Sequence, residues 1–355
     1  FGIEKGNEIL LKQADIIKKH AVDGYLYGRV GEDHFVVIAD EDTFNEEYLY
    51  ECRETLQNVL SDSVYNVRVC FGIYRTDNMN ESLSFMCDKA SFAVASIKDD
   101  THSFIAYYDD TMLEAAIKYK TIVDEFDDAI KAGEFKMYLQ PQISAKTRRL
   151  TGAEALVRRI KPDGTIISPI DFIPVYEKSG LISRLDRYIW EQAAAKLGEW
   201  KKAGINMSIS VNISPKDFYY IDIFNTFAGL IKKYDIEPSN LKIEITETTI
   251  MSDVPNLMGE LEELRKAGFT LEMDDFGSGY SSLNTLKDIN VDVLKVDMGF
   301  IKETKNVKKS RIILASVIKM AKELNLLIIT EGVETEEQVD NLTKLGCDVF
   351  QGYYF

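Results

Sequence analysis

The sequence predicts an α/β protein: a TIM-like (β/α)8 barrel preceded by a smaller, partial α+β domain. Three observations carry this reading. Short apolar runs ending in polar clusters recur in order as GAEALVR, MSISVNIS, LKIEITET, FTLEMDDFGSG, VDVLKVD, LLIITEGVE and VFQGYYF. A helical stretch follows each except the last, which is the pattern of parallel βα units. Glu154, Asn212, Glu244, Glu247, Asp274, Asp275, Glu331 and Gln351 stand in the polar clusters, with one lysine, Lys295, among them. About eight βα units close into a barrel whose functional residues gather at the carboxyl ends of the strands, so these side chains are expected to converge.

Residues 1–112 have a different texture, with short helix and strand signals and no gathering of carboxylates at strand ends. They read as the small α+β domain. Within them YGRVGEDHFVVIAD is a β-hairpin pattern, an apolar strand on each side of a Gly31-Glu32-Asp33-His34 tip. RVCFGIYR supplies a further strand and NESLSFMCDKASFAVASIK a helix. Residues 113–133 are helical by pattern, Ile117, Ile122, Phe126 and Ile130 recurring near helical spacing, and link the domains. The barrel occupies residues 134–355. Its helices include PNLMGELEELRKAG, with Leu257, Leu261 and Leu264 on one face and a stop at Gly268. KKSRIILASVIKMAKELN aligns Ile313, Val317, Met320, Ala321 and Leu324. Such stripes are faces that pack on a barrel rather than cofactor boxes.

Composition narrows the function. A chain of 355 residues, 45% hydrophobic and 28% charged, suits about two water-soluble domains. A net charge of −16 disfavours polymeric DNA or RNA as a partner, which needs a basic surface. A small phosphorylated ligand stays open, because metal ions and local cations can reverse the field inside a cleft. Cys52, Cys70, Cys87 and Cys347 form no CxxC pair and stand near no histidine cluster, so they read as buried thiols of a reducing cytosol. No apolar run is long enough to span a bilayer and no signal peptide opens the chain. The location expected is cytoplasmic, with any membrane tether supplied by segments outside this chain.

The chemistry lies in the oxygen-rich set. Taken singly, Glu154 and Arg158 suit a surface ion pair, Asn212 a satisfied core amide, Asp274 and Asp275 a turn that caps the next helix, and Lys295 a salt bridge to Asp297 or Glu331. Taken together they suit a metal site. Adjacent carboxylates are costly unless protonated or bridged by cations. Oxygen ligands without histidine or cysteine favour Mg²⁺ or Mn²⁺. Shared carboxylates suggest two ions clamping an in-line phosphoryl displacement, with Lys295 orienting or deprotonating the attacking water.

YLQPQIS, EALVR, SVNIS, EITET, DDFGSGYSSL, KVDMGFI, EGVET and QGYYF, in this order, resemble the motifs of EAL-domain cyclic di-GMP phosphodiesterases. The resemblance implies hydrolysis of cyclic di-GMP to linear pGpG with two Mg²⁺ or Mn²⁺ ions, in the bacterial cytoplasm. It also implies a homodimer through the barrel, near the DDFGSG segment. Carried over, Glu154, Asn212, Glu244 and Asp274 hold one metal, and Asp274 and Asp275, with Glu331 nearby, serve the second. Lys295 acts on the water, Glu247 braces the loop from Asp275 to Tyr280, Gln351 supports the metal-water network, and Gln140 and Arg158 contact the dinucleotide. Ser278 stands where threonine is common and keeps the hydroxyl. The first domain resembles a GGDEF (diguanylate cyclase) domain in which Glu32 replaces a glycine and His34 an acidic metal residue. Cyclase activity is therefore expected to be lost, leaving a dimerising or regulatory scaffold. The rival reading of the whole is a receptor that binds cyclic di-GMP without cutting it, but such receptors lose ligands that this sequence keeps.

Overall fold

From Phe135 onward the strands alternate between two environments, side chains of one parity packing against helices and those of the other filling a closed interior. A computed structural model describes residues 3–21, 25–60, 68–76, 78, 80–98, 100, 102–252, 254, 256–276, 286–287, 289–297 and 307–355. The chain divides into two units, Phe1–Thr121 and Ile122–Phe355. Residues 277–280, which include Ser278, the start of the helix expected after them, and residues 298–301 of KVDMGFI lie outside the described residues.

The first unit holds α1 (Ile3–His20), β1 (Leu26–Gly31), β2 (His34–Ile38), α2 (Glu47–Leu60), β3 (Phe71–Ile73), α3 (Leu83–Ser96) and β4 (Ile105–Tyr107). β1 and β2 form an antiparallel hairpin, with Glu32 at its turn in the left-handed region at φ 36°. β3 and β4 pair in parallel. The Ser82 hydroxyl caps α3 by accepting from the Phe85 N–H. Between 110 and 132 the helical stretch is two helices, α4 (Asp110–Asp124) and α5 (Phe126–Ala132), the second closed by Gly133 at φ 66°. Ile122 and Phe126 are buried there, while Ile117 is exposed.

The second unit continues with β5 (Phe135–Ser144), β6 (Leu150–Ile160), β7 (Ile166–Ile167), α6 (Pro169–Ser179), α7 (Ile182–Lys202), β8 (Ser208–Ile213), α8 (Asp217–Tyr220), α9 (Ile223–Tyr234), β9 (Leu241–Thr246) and α10 (Glu247–Ile250). α11 (Leu257–Lys266), β10 (Leu271–Asp274), β11 (Val293–Asp297), α12 (Val307–Glu323), β12 (Leu327–Glu331), α13 (Glu336–Leu345) and β13 (Val349–Phe350) complete it. Eight strands close in the order β5-β13-β12-β11-β10-β9-β8-β6, β6 pairing back on β5, and β7 extends β6 outside the ring. The seven strands with polar clusters run parallel, whereas β5 is antiparallel to both neighbours. Residues 145–149 are too short a link for a crossover, so β5 and β6 meet as a hairpin.

Ile209, Val211, Leu241, Ile243, Leu271 and Met273 pack outward against helix faces such as Leu257, Leu261 and Leu264 of α11. On α12 the buried face is Leu314, Ile318 and Ala321, with Val317 and Met320 beside it and Leu324 exposed. The expected stripe is displaced by one position, because Ile313–Val317 and Leu314–Ile318 are neighbouring rows of one apolar arc and hydropathy alone cannot choose between them.

Arg159, near the end of β6, is 3% exposed. Its Nε donates to Glu134 at 2.9 Å and its Nη2 to Glu125 at 2.7 Å, tying β6 to the residues that precede β5. Arg159→Met is expected to lower stability by about 3 kcal/mol, since it strands the partly buried Glu134 and leaves Glu125 only Lys161, at 3.7 Å. A urea midpoint unchanged from the wild type would refute this.

Candidate active site

Inward parity brings the predicted residues to one end of the barrel. Asn212 on β8 lies level with Glu244 on β9, and Lys295 precedes by two positions Asp297, which lies level with Glu331 on β12. Asp274 closes β10, Gln351 follows β13, and Gln140 on β5 faces Glu154 on β6. Glu154 is not at a strand end: β6 runs on for six residues to Ile160, and the site forms part-way along it.

Lys295 is the centre. Fully buried, its Nζ lies 2.8 Å from Glu331, 3.1 Å from Glu244 and 3.3 Å from both Glu154 and Asp274. Burial works against its charge, but the four carboxylates outweigh it and hold the pKa well above the usual lysine range. The carboxylates are left in excess. Burial pushes Glu331 up to about 7 and Glu244 well above its ordinary value, and neighbouring carboxylates add to both shifts.

Glu154 collects further donors: Lys295, Gln351 through Nε2, and Asn212 Nδ2 at 3.4 Å. Gln351 Nε2 also donates to Gln140 Oε1 at 3.1 Å. Two packing features hold this frame. The Trp190 indole N–H donates to the Asn212 carbonyl at 2.9 Å, pinning β8 to α7. Gly352, at φ 156°, presses so closely on the residue after Gly332 that a Cβ would lie 2.2 Å from the Val333 carbonyl oxygen, and this keeps Gln351 at the mouth.

A cavity of about 250 Å³ opens above the cluster, lined by Glu154, Asp274, Glu331 and Gln351, with Gln140 and Asp297 on its walls. Sequence reasoning weighed Asp297 only as an ion-pair partner. Its parity with Lys295, two residues earlier, is the signal that places it inward. Asp275 is exposed at φ 56°, its N–H donating to Asp274 at 2.8 Å. Glu247 opens α10 and is buried, while Arg158 donates to the Val157 carbonyl at 2.8 Å rather than to Glu154.

The residues fit a divalent cation. Glu154, Glu244 and Asp274 each place an oxygen within 4.8 Å of the others. Glu244 is fully buried and its only described cation is Lys295, 3.1 Å from Oε1, while Oε2 meets no hydrogen-bond donor, a costly arrangement that a hard cation would relieve. Below this layer lies a second polar one that sequence reasoning missed. Glu272, fully buried and level with Glu244, accepts from Ser210 at 2.8 Å and from Lys242 at 2.8 Å. The signal was there as charged residues spaced by two inside the apolar runs LKIEIT and LEMDD.

The family model described as EAL domain matches residues 123–355. The chain belongs to the EAL family. Signaling protein YkoW of Bacillus subtilis is 30% identical over 361 residues, covering 100% of this chain and 45% of that relative. The probable cyclic di-GMP phosphodiesterase PdeG of Escherichia coli is 37% identical over 234 residues, 64% of this chain and 45% of that protein. Among solved structures, the EAL barrel resembles the PaMucR phosphodiesterase in complex with c-di-GMP, with TM-score 0.62 and 33% identity over 66% of this chain and 95% of that one. The chain spans about half the length of the curated relatives it matches. No helix among the described residues is long and apolar enough to cross a membrane.

Proposed function

We propose that this chain hydrolyses cyclic di-GMP to linear pGpG by in-line attack of water, with two Mg²⁺ or Mn²⁺ ions held at the barrel mouth. The observation that carries the reading is the buried cluster of four carboxylates around the single cation Lys295, in which Glu244 Oε2 meets no donor. EAL relatives named as cyclic di-GMP phosphodiesterases, and the related barrel solved with c-di-GMP, support the substrate.

Glu154, Asn212, Glu244 and Asp274 would hold one ion, and Asp274, Asp275 and Glu331 the second. When bound, such ions lower the pKa of water and stabilise charge on the phosphoryl oxygens. The chain's own residues do the rest. Lys295, at the centre of the carboxylates, would orient or deprotonate the attacking water. Gln140 and Gln351 line the cavity and would present amides to the dinucleotide, and Glu247, buried at the start of α10, would act as a brace beside the site. Arg158 shares the inward parity of Glu154 four residues further along β6, about 13 Å away. A guanidinium on that side of the strand would be available to a phosphate or base at the far end of the dinucleotide.

The reading extends to the first unit as an inactive GGDEF-like regulatory domain, supported by relatives that match across the whole chain, one of them named as a bifunctional diguanylate cyclase and phosphodiesterase. Glu32 at the hairpin turn adds charge where a triphosphate would approach, and His34 lacks a hard oxygen. The assembly proposed is a homodimer through the barrel. The test is chromatographic: purified chain, cyclic di-GMP and Mg²⁺ or Mn²⁺ should yield pGpG, and EDTA should abolish it. Tight binding of the dinucleotide without product would overturn the hydrolase in favour of a receptor.

A further inference from the structure

We propose that Gln142 is a positioning residue that fixes which end of the Gln351 amide faces Glu154. The proposal rests on the reading of Glu154 as a metal ligand. An amide has a donor end and an acceptor end, and the two ends of Gln351 meet different partners. Its Nε2 donates to Glu154 Oε2 and to Gln140 Oε1. Its Oε1 accepts from Gln142 Nε2 at 3.2 Å. Turned end for end, Gln351 would set its oxygen against two acceptors, Glu154 and Gln140, and its NH₂ against the NH₂ of Gln142. The contact with Glu154, an ionised carboxylate with no donor end to turn, would be lost outright, and the amides of Gln140 and Gln142 would both have to turn as well. Gln142 is 1% exposed and Gln351 2%, so water is not at hand to replace a lost donor.

The backbone around Gln142 is built for this contact. Gln142 lies opposite Gly152 on β6, and the pairing slips there, Ile143 meeting Leu150. Thr151 is thus the extra residue of a β-bulge, a device that re-aims side chains. Its hydroxyl donates to the Gln142 carbonyl at 3.1 Å. A Cβ at position 152 would lie 2.5 Å from Ser208 Oγ and 3.3 Å from Gln142 Oε1, so glycine there leaves room for the Gln142 side chain. The chain of effect runs from the bulge to Gln142, from Gln142 to the orientation of Gln351, and from Gln351 to an NH donor on Glu154. Outer residues that orient a metal ligand in this way are worth about 10- to 100-fold in affinity or activity.

The test is a double-mutant cycle on the whole chain. It is read as Mn²⁺ affinity without substrate, by the spin-resonance signal of free Mn²⁺, and as turnover of cyclic di-GMP. Gln142→Met removes the donor at nearly the same volume. It is expected to weaken Mn²⁺ binding about 10-fold. The double variant Gln142→Met/Gln351→Met is expected to bind no more weakly than Gln351→Met alone, because Gln142 acts through Gln351. Gln142→Leu, another shape with the same missing donor, runs beside it, so that one folded variant suffices, with thermal unfolding as the check on folding. Wild-type Mn²⁺ binding with Gln142→Met within two-fold of it overturns the proposal, as do penalties at 142 and 351 that simply add. A wild-type chain that neither binds Mn²⁺ nor yields pGpG overturns the metal reading itself, and this proposal with it.

Discussion

Lys295→Ala is expected to lower cyclic di-GMP turnover by about 10²-fold or more, the scale of a lost proton-handling or orienting group. It should also change how the protein depends on metal. In the absence of metal, Lys295 is the cation that lies within 3.3 Å of Glu154, Glu244, Asp274 and Glu331 at once. Removing it leaves buried carboxylates that must either protonate or repel. Breaking a buried pair in this way costs about 3–5 kcal/mol. Added Mn²⁺ would replace the lost positive charge, so the fall in Tm should be large without metal and small with it. Turnover at saturating metal reports the chemical role, and the pair of melting curves reports the electrostatic one. Turnover near that of the wild type would remove Lys295 from the mechanism, and an equal Tm loss with and without Mn²⁺ would show that no cation substitutes for it.

Glu154→Ala is expected to cost a similar factor, about 10²-fold or more in turnover, through loss of a metal ligand. The reason goes beyond the carboxylate itself. Lys295, Gln351 and Asn212 all donate to Glu154, so alanine takes one acceptor from each of three donors beside a 250 Å³ cavity, though Lys295 and Gln351 keep others. Glu154→Gln separates the contributions. It keeps the volume and one acceptor oxygen but removes the negative charge. If Glu154 acts as a ligand, Gln and Ala variants should lose Mn²⁺ affinity alike. Should the Gln variant retain wild-type Mn²⁺ affinity and turnover, the carboxylate is structural.

The strands that carry the site were legible because each announces itself twice, by an apolar run and by a polar residue of the wrong character for a core. Glu244, Asp274, Lys295, Glu331 and Gln351 are of this kind, and their common parity follows from a period of two. The sense of β5 was not legible in the same way. Pairing direction leaves no periodic mark, and YLQPQIS alternates as either kind of strand would. The position of Glu154 within its strand was hidden because β6 runs on past the barrel mouth to pair with β5 and β7. Gln142 and Glu272 went unread as parts of the site because each lies two residues before a residue already singled out or on a strand whose facing was unknown. Only a closed ring shows that such neighbours form a second layer. The displaced face of α12 has a plainer cause, since two adjacent apolar rows offered themselves and packing chose one.

The closure of the ring by β5 bears on the order in which the protein assembles. Gln140 and Glu154 are neighbours across a hairpin, yet both hydrogen-bond to Gln351, which is 211 and 197 residues away along the chain. Six strands can pair outward from that hairpin without either amide contact forming. Only the docking of β13 against β5 completes the seam, and contacts of such large sequence separation are the slowest for a chain to reach. The seam that carries Gln351 is therefore expected to be the last part of the barrel to become native. During refolding, protection of the amides in β8 and β9 from hydrogen exchange should precede the appearance of Mn²⁺ affinity.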